Sequence, residues 1–412
     1  MKKNVFQFFL VFMFFLLFST QVYAVPASPD YFEVFQPDGS TFKARQYGDE
    51  FQGWTESESG HTILKNEITN VWEYALQGPN GALSLSGQQV VHQMEVPADI
   101  PKHLKPSRNI EIQNALSTMI KDSYLQRVPV TSGAEAAPGD WIPVPIAGSK
   151  KTLVILINFA NRALTTTPAT WSAKIFDTNT GAKSVAKYYQ DNSFGTLGIT
   201  PAAHTQSSVP GVVSVTVSDN HPNNSNNFNF TIETTILNHA LAQAANYVNF
   251  ASYDSNGNGT LEQSELMIYF IYSGYEASGS TKTPNTWAHA WFGSGVSAGG
   301  KSVTRWALNG ELNNNSVQHP IGVIAHELGH ALCGLPDLYD TTYHNAGLGN
   351  FSLMAGGGWG YDISEDMGTT PTTLDAWSRE YLGWATPIPA VFGTLSLSHP
   401  LSSQNAVYKF LN

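Results

Sequence analysis

The strongest constraint on the fold is a short apolar segment that contains three ionisable side chains. Between positions 321 and 332 the sequence places His326, Glu327 and His330 among apolar residues. The apolar residues cover nearly every side of a helix, and they are Ile321, Val323, Ile324, Leu328, Ala331 and Leu332. Imidazole and carboxylate groups inside a core need partners or a metal to offset their desolvation. The segment therefore predicts a buried helix that carries a functional site.

The spacing of the two histidines predicts a metal site. Residues four apart leave the same face of a helix, so His326 and His330 can hold one ion. A catalytic zinc site uses three protein ligands and leaves one position for water. Glu327 would stand beside that water as a general base, which is the arrangement for peptide hydrolysis. The pattern also arises by chance on exposed helices, but the apolar surroundings disfavour that interpretation.

Three residues are candidates for the third ligand. Asp337 follows a turn at Gly334 and can approach the ion from outside the helix. Cys333 lies three residues after His330 and would bind zinc as a thiolate. Ligands from three successive helical turns would converge on one ion only under strain, because each turn rises about 5.4 Å. Glu380 is the alternative that thermolysin-like enzymes suggest. The sequence favours Asp337 and keeps Cys333 as the main alternative.

A glycine-rich segment further along adds a resemblance to a known family. Met354 lies between Ser352 and Trp359, and a methionine in a tight turn beneath the metal is typical of metzincins. With Gly334 to Asp340, these motifs resemble the immune-inhibitor-A-like secreted metalloproteases, a family of bacterial zinc endopeptidases. Further segments similar to that family are Gln36 to Gly39, Gly48 to Glu50, Leu153 to Phe159, Tyr188 to Gly195, Trp287 to His289, Leu374 to Trp377 and Leu382 to Trp384.

The resemblance implies roles for individual residues. It implies that His326, His330 and Asp337 are the zinc ligands. It also implies that Glu327 is the general base and that Met354 is the methionine of the turn. The interval between His330 and Asp337 is one residue longer than is usual in the family, with Cys333 as the inserted residue. The family generally continues beyond the position of Asn412, which predicts a catalytic domain truncated at its C-terminus.

Composition divides the chain into four segments. We predict a signal peptide over 1–24, a β-rich propeptide-like domain over 25–127, a linker over 128–150, and the catalytic domain over 151–412. The first domain is indicated by short alternating stretches between turn signals, and the linker by its density of Pro, Gly and Ala.

Two kinds of pattern appear in the predicted catalytic domain. Continuous apolar runs predict buried strands at 153–157 and 266–272, and helical spacing is found near 184–190 and 231–248. We therefore predict an α+β fold, in which a mixed sheet and the active-site helix form a metzincin-like zinc protease domain.

The N-terminus and the charge indicate where the protein acts. Lys2 and Lys3, the apolar run 8–18 and a small residue at Ala24 predict export and cleavage after Ala24. No later segment is apolar enough to span a membrane, so no stable membrane anchor is expected after cleavage. The single cysteine excludes an internal disulfide, and the net charge of −11 argues against nucleic acid as a partner. Protein or peptide substrates are the expected partners.

A second motif has the spacing of a calcium-binding loop. Residues 254–265 offer oxygen ligands at regular places, with glycine at the sixth position. The predicted calcium ligands are Asp254, Asn256, Asn258, Thr260 and Glu265. An ordinary turn rich in Asn and Gly is the alternative interpretation. A bound ion would brace the fold, since the loop leads directly into the apolar run 266–272.

The sequence is compatible with two classes of function. The first is an active secreted endopeptidase, kept latent by the segment 25–127. The second is a calcium-stabilised extracellular binding or adhesion protein whose protease site has decayed. The intact His326, Glu327 and His330 favour the first. Because residues 25–127 contain no cysteine, latency would have to come from an oxygen or nitrogen ligand or from steric filling of the cleft.

Overall fold

The computed structural model describes residues 21–49, 52–91, 96, 98–107, 145–224, 229–341, 343–391 and 393–410. Most of the predicted signal peptide, residues 108–127 of the propeptide-like domain and residues 128–144 of the linker lie outside the described residues. The bounds proposed for these segments stay predictions.

The described residues form seventeen strands, five α-helices and four short 3₁₀ segments. The strands are β1 (Gln21–Ala24), β2 (Phe32–Phe35), β3 (Thr41–Tyr47), β4 (Trp54–Ser57), β5 (Thr62–Lys65), β6 (Trp72–Gln77), β7 (Leu83–Gln89), β8 (Gly148–Asn158), β9 (Leu197–Pro201), β10 (Val212–Thr216), β11 (Thr260–Leu261), β12 (Met267–Glu276), β13 (Asn285–Thr286), β14 (His289–Ala298), β15 (Lys301–Leu312), β16 (Ile388–Pro389) and β17 (Tyr408–Lys409). The helices are α1 (Pro168–Phe176), α2 (Val185–Asn192), α3 (Phe230–Ala244), α4 (Ile321–Ala331) and α5 (Ala376–Tyr381).

The N-terminal part is an antiparallel sheet in which β2 to β7 pair in chain order. Alternating residues of its strands, such as Phe32 and Val34, are buried in a small core of their own. The turn predicted at Pro37 to Gly39 connects β2 and β3, and Gly39 has a positive φ of 86°. This sheet thus consists of short strands in which buried and exposed residues alternate, and turn residues connect the strands.

The larger sheet is mixed, with the strand order β1-β14-β15-β12-β8-β10. β8, β10, β12 and β15 run parallel, whereas β14 is antiparallel to β15 and β1 is antiparallel to β14. β8 begins at Gly148, so the last three residues of the range assigned to the linker belong to this strand. The apolar runs predicted as strands lie in β8 and β12, at the centre of the sheet.

Helices cover both faces of this sheet. Val154 and Leu156 of β8 pack with residues of α1, α2 and α4, while Leu153 and Ile155 pack with residues of α3. Successive side chains of a strand point to opposite faces, so an unbroken apolar run is buried on both sides. The predicted α+β class with a mixed sheet is confirmed.

The helices predicted near 184–190 and 231–248 begin at capping residues. The Ser184 hydroxyl accepts a hydrogen bond from the Lys187 amide ahead of α2, and the Asn229 side chain accepts one from the Ile232 amide ahead of α3. Such caps satisfy amides that have no partner in the first turn of a helix. Within the described ranges, no helix has the length and hydropathy that crossing a membrane requires.

Candidate metal centre

Helix α4 lies in the core and is buried along its whole length. Two of its glycines allow close contact with a later loop. A Cβ at Gly322 would lie 1.8 Å from the Gly358 carbonyl oxygen, and one at Gly329 would lie 2.5 Å from Met354 Sδ. Glycine weakens a helix interior, so its presence here is explained by this contact. Met354 therefore lies against the helix at Gly329, next to His330.

The two histidines of α4 are held in one tautomer by backbone carbonyls. His326 Nδ1 donates to Leu353 O at 2.8 Å, and His330 Nδ1 donates to Leu335 O at 2.7 Å. In a neutral imidazole the other nitrogen then carries a lone pair. Burial lowers the pKa of His330. The two Nε2 atoms lie 3.0 Å apart, so two lone pairs face each other.

Asp337 adds a third electron-pair donor to the same point. Its Oδ1 lies 3.3 Å from His326 Nε2 and 3.2 Å from His330 Nε2. The chain reaches this position after α4 because Gly334 adopts a positive φ of 69°. These three residues are the one group of at least three His, Cys, Asp or Glu residues in the described chain whose ligand atoms lie within 4.8 Å of one another.

The three atoms His326 Nε2, His330 Nε2 and Asp337 Oδ1 form a donor set that fits a zinc ion. Two ligands about 2.0–2.1 Å from a common centre at the tetrahedral angle are separated by about 3.3 Å. The three separations between the donor atoms are 3.0, 3.2 and 3.3 Å. Three acceptors placed this close together repel one another unless a cation lies between them. The donor chemistry, two imidazoles and a carboxylate, is also that of zinc sites.

The Met354 turn connects several parts of this site. Leu353 O holds the His326 ring, and Met354 O accepts a hydrogen bond of 2.7 Å from the Leu338 amide, one residue after Asp337. The Ser352 hydroxyl accepts from the Met354 amide at 3.1 Å. One buried turn therefore fixes both the His326 ring on α4 and the backbone next to Asp337. Such supporting contacts orient the ligands of a metal site.

Glu327 is fully buried beside the donor set. Burial raises its pKa well above the usual value, and the charges of Asp337 and Glu276 add to that effect. Its Oε1 accepts a hydrogen bond of 2.9 Å from the backbone amide of Val25. A carboxylate that already contacts a peptide nitrogen is placed to exchange a proton with that atom.

The two other candidate ligands lie elsewhere. Cys333 belongs to the apolar core, where its side chain contacts the Tyr189 hydroxyl and burial raises the pKa of its thiol. Glu380 Oε1 pairs with Lys409 Nζ at 2.9 Å. His289 is buried and pairs with Glu233 at 3.0 Å, away from the donor atoms of the candidate metal site.

The polar residues of the predicted calcium loop already make hydrogen bonds and an ion pair within the protein. Asp254 Oδ2 lies 2.6 Å from Lys301 Nζ, and Glu265 Oε1 accepts hydrogen bonds from the Ser255 amide at 2.8 Å and the Asn256 amide at 3.2 Å. Thr260 lies in β11, which pairs with β15. The side-chain amides of Asn256 and Asn258 donate to the carboxylate of Glu262 at 3.0 and 2.9 Å. In this arrangement a lysine ammonium group already partners Asp254.

Sequence reasoning missed the chain segment that covers the site. β1 pairs with β14, and Val25 follows it directly into contact with Glu327. Trp287 Nε1 donates to Val25 O at 3.0 Å, and Trp359 Nε1 donates to Pro26 O at 2.9 Å. No local pattern reveals these contacts, because the partners are hundreds of residues apart in the chain.

Two tyrosines that follow Asp337 in the chain are also held by the N-terminal part. Tyr343 donates to Asp49 Oδ2 at 2.9 Å, and Tyr361 donates to Asp30 Oδ2 at 3.2 Å. Trp54 contacts the Tyr343 ring edge-on, with 5.8 Å between the ring centroids. The N-terminal sheet therefore lies against the loops that follow the donor set.

The comparison with known families agrees with this geometry. Residues 164–385, just over half of the chain, match the model of the immune inhibitor A peptidase M6 catalytic domain. No curated protein matches the sequence. The matched range includes α4, Asp337 and the Met354 turn. The chain therefore belongs to the immune inhibitor A peptidase M6 family, and residues 164–385, which include helix α4, match its metallopeptidase catalytic domain.

Proposed function

We propose that this protein is an exported, zinc-dependent endopeptidase that hydrolyses peptide bonds in protein substrates. The observation that carries the proposal is the meeting of His326 Nε2, His330 Nε2 and Asp337 Oδ1 within hydrogen-bonding distances of one another. Glu327 follows His326 directly on the same buried helix and contacts a peptide nitrogen. Export is supported by the N-terminal pattern of two lysines, an apolar run and Ala24.

In the proposed reaction the chain's own residues hold the metal and move a proton. His326, His330 and Asp337 would bind zinc. When bound, zinc supplies a Lewis acid that polarises the substrate carbonyl and lowers the pKa of water to near 7. Glu327 takes a proton from the attacking water and passes it to the leaving nitrogen. The C–N bond breaks, and the products are a carboxylate and an amine.

The second class of function, a calcium-stabilised binding protein with a decayed site, is less well supported. A decayed site would not need the ring orientation that Leu353 O and Leu335 O impose on the two histidines. Nor would it need the glycine contact between α4 and Met354. These supporting contacts are intact, which favours an active enzyme.

Metal removal tests the proposed function. The purified enzyme, from which the N-terminal segment has been removed, is expected to contain about one zinc ion per chain and to hydrolyse casein. Treatment with 1,10-phenanthroline should abolish hydrolysis, and added zinc should restore it, because the proposed reaction needs the metal between the three donor atoms. The non-chelating 1,7 isomer is the control and should leave the rate unchanged. Hydrolysis that survives complete zinc removal would contradict the proposal.

We further propose that the N-terminal segment keeps the enzyme latent by filling the cleft. Support comes from Val25, which is fully buried and whose backbone amide donates to Glu327. This contact excludes substrate from the donor set. This form of latency needs no thiol, in agreement with the absence of cysteine from residues 25–127.

Latency can be measured with the N-terminal segment as a separate inhibitor. Residues 25–127, added in trans to the enzyme that has lost them, are expected to inhibit casein hydrolysis. A matched fragment that begins at Asp30 lacks the residues in the cleft and should inhibit much less. Equal inhibition by both fragments would show that the cleft segment is not the blocking element, and no inhibition by either would indicate an accessory module.

We also propose that the loop 254–265 binds calcium and braces the sheet. Support comes from the ligand spacing and from the buried Asp254 Oδ1, which has no hydrogen-bond partner among the described residues. Leu261, between the predicted ligands, is buried in the core. Binding would require Lys301 to move away from Asp254.

The calcium proposal predicts a change in thermal stability. EGTA, with zinc resupplied, is expected to lower the Tm because an ion that binds only the folded state stabilises it. Asp254→Ala should remove this sensitivity, whereas Asp362→Ala, at an exposed position on another loop, should retain it. An unchanged Tm in EGTA would mean that Lys301 is the loop's permanent cation.

A further inference from the structure

Val25 follows Ala24 directly, so the predicted cleavage of the signal peptide changes the chemistry of its nitrogen. In the intact chain this nitrogen is a backbone amide that donates to Glu327 Oε1 at 2.9 Å. A signal peptidase adds water across the bond between the two residues, which leaves a carboxylate on Ala24 and an α-amino group on Val25. Unlike an amide, an α-amino group takes up a proton and is mostly an ammonium ion at neutral pH.

The position of Val25 does not depend on the residues that are removed. Val25 O accepts a hydrogen bond from Trp287 Nε1 at 3.0 Å, and Pro26 O accepts one from Trp359 Nε1 at 2.9 Å. Two further backbone bonds follow, from the Ala27 amide to Gly48 O at 2.9 Å and from the Ser28 amide to Ser278 O at 2.7 Å. All four bonds are made by residues after the cleavage site. We therefore expect the new N-terminus to stay beside the Glu327 carboxylate.

The Glu327 carboxylate is not fully satisfied by an amide. The side chain is fully buried, and its Oε2 has no hydrogen-bond partner among the described residues. By contrast, the buried carboxylate of Glu276 accepts from the Ala288 and Gly310 amides, each at 2.9 Å. An ammonium group brings three N–H donors and a positive charge, whereas an amide brings one donor. A buried carboxylate with an unsatisfied oxygen is stabilised by such a partner.

We propose that removal of the signal peptide creates a buried ion pair between the α-ammonium group of Val25 and Glu327, which holds the N-terminal segment in the cleft and occupies the general base. This inference rests on the proposed export, general base and latency. It adds a direct contact with the proton-transferring group to the steric filling of the cleft. While the pair is intact, Glu327 Oε1 is bound to the terminus and is not available to water.

The ion pair makes latency depend on the exact cleavage site. In a chain that begins one residue earlier, at Ala24, the Val25 nitrogen remains an amide and carries no charge. Its hydrogen bond to Glu327 can still form, but the α-amino group belongs to a different residue. A chain that begins at Val25 is therefore expected to hold its N-terminal segment more tightly than a chain that begins at Ala24.

The reactivity of the Val25 α-amino group toward acetic anhydride tests the ion pair. Chain 25–412 is produced with Val25 as its first residue by removing an N-terminal fusion partner, and acetylation is followed by mass spectrometry of the N-terminal peptide. In Glu327→Gln the amino group is expected to react at least about tenfold faster, because glutamine cannot balance a buried ammonium charge and the terminus leaves the cleft without unfolding of the enzyme. Glu380→Gln, whose carboxylate pairs with Lys409, is the control and should react at the rate of the unsubstituted chain.

Latency provides a second readout on the same material. Freshly purified chain 24–412 is expected to hydrolyse casein at least about threefold faster than chain 25–412, because an amide donates a weaker hydrogen bond than an ammonium group. Both chains should reach the same rate after the N-terminal segment has been removed by limited proteolysis, since they then yield the same enzyme.

The outcomes separate this inference from the peptidase function. Equal acetylation of chain 25–412 and its Glu327→Gln variant would overturn the ion pair, and so would an exported protein whose first residue is not Val25. Equal casein hydrolysis by the two latent chains would overturn its role in latency. Acetylation needs no catalysis, so a zinc-loaded enzyme that hydrolyses nothing after removal of the segment would overturn the peptidase function, while slow acetylation that depends on Glu327 would still support the ion pair.

Discussion

Replacing Glu327 with alanine is expected to lower the turnover of a protein substrate by at least ~10²-fold, while zinc content and fold are retained. The reason is that Glu327 contributes the proton-transferring group and none of the three donor atoms that meet at the metal position. The zinc ligands stay oriented because their supporting hydrogen bonds come from Leu353 O and Leu335 O. Turnover on casein, zinc per chain and circular dichroism are the measurements.

Glu327→Gln is the matched variant, because it keeps the shape of the side chain and an oxygen that can accept from the Val25 amide. It is expected to lose activity to a similar extent. Burial raises the pKa of the glutamate, so the folded protein disfavours its charged form. The side-chain amide of glutamine is neutral and avoids this cost of burying a carboxylate, so the Tm should be unchanged or higher. Near-normal turnover in either variant would exclude Glu327 as the base.

Local patterns predicted the parts of the structure whose physical cause is local. The apolar runs at 153–157 and 266–272 are strands buried on both faces, and the apolar surroundings of His326 and His330 lead to a helix buried along its length. Periodicity and capping residues determine such elements, and both are visible in the sequence. The family resemblance then agreed with the matched range 164–385.

Contacts between distant parts of the chain could not be predicted in this way. Val25 and Glu327 are 302 positions apart, and no periodicity connects them. Trp287 and Trp359 hold the same segment through indole N–H groups, which the sequence alone does not distinguish from core packing. The glycine at position 329 was a possible signal, since a glycine in a helix interior indicates close approach of another group.

In the loop 254–265 the local pattern predicted a metal site but could not reveal a contact from a distant part of the chain. Its spacing is that of a calcium loop, yet Lys301 lies 2.6 Å from Asp254 although it is 47 positions away in the chain. A motif describes the ligands that a segment offers and does not include a competing cation from a neighbouring strand. For this reason the calcium proposal depends on the Tm measurement.

Replacing the proposed third zinc ligand is the second change with a large expected effect. Asp337→Ala should lose both bound zinc and activity. Its Oδ1 lies 3.3 and 3.2 Å from the two histidine Nε2 atoms. Without it, two imidazoles would remain, whereas a catalytic zinc site uses three protein ligands. Asp337→Asn keeps the shape but not the charge, so it is expected to bind zinc more weakly than the wild type and more strongly than the alanine variant.

Cys333 provides the contrasting substitution in the same stretch of chain. Its thiol packs in the apolar core against Tyr189, and burial raises its pKa, which disfavours the thiolate that zinc would require. Cys333→Ala and Cys333→Ser are therefore expected to keep most of the zinc and most of the activity, with a modest loss of Tm from the altered packing. Zinc per chain, measured after dialysis, decides between the two residues. If zinc were lost from the Cys333 variants and kept by Asp337→Ala, the third ligand would be the cysteine, and the chain beyond His330 would have to rearrange when the metal binds.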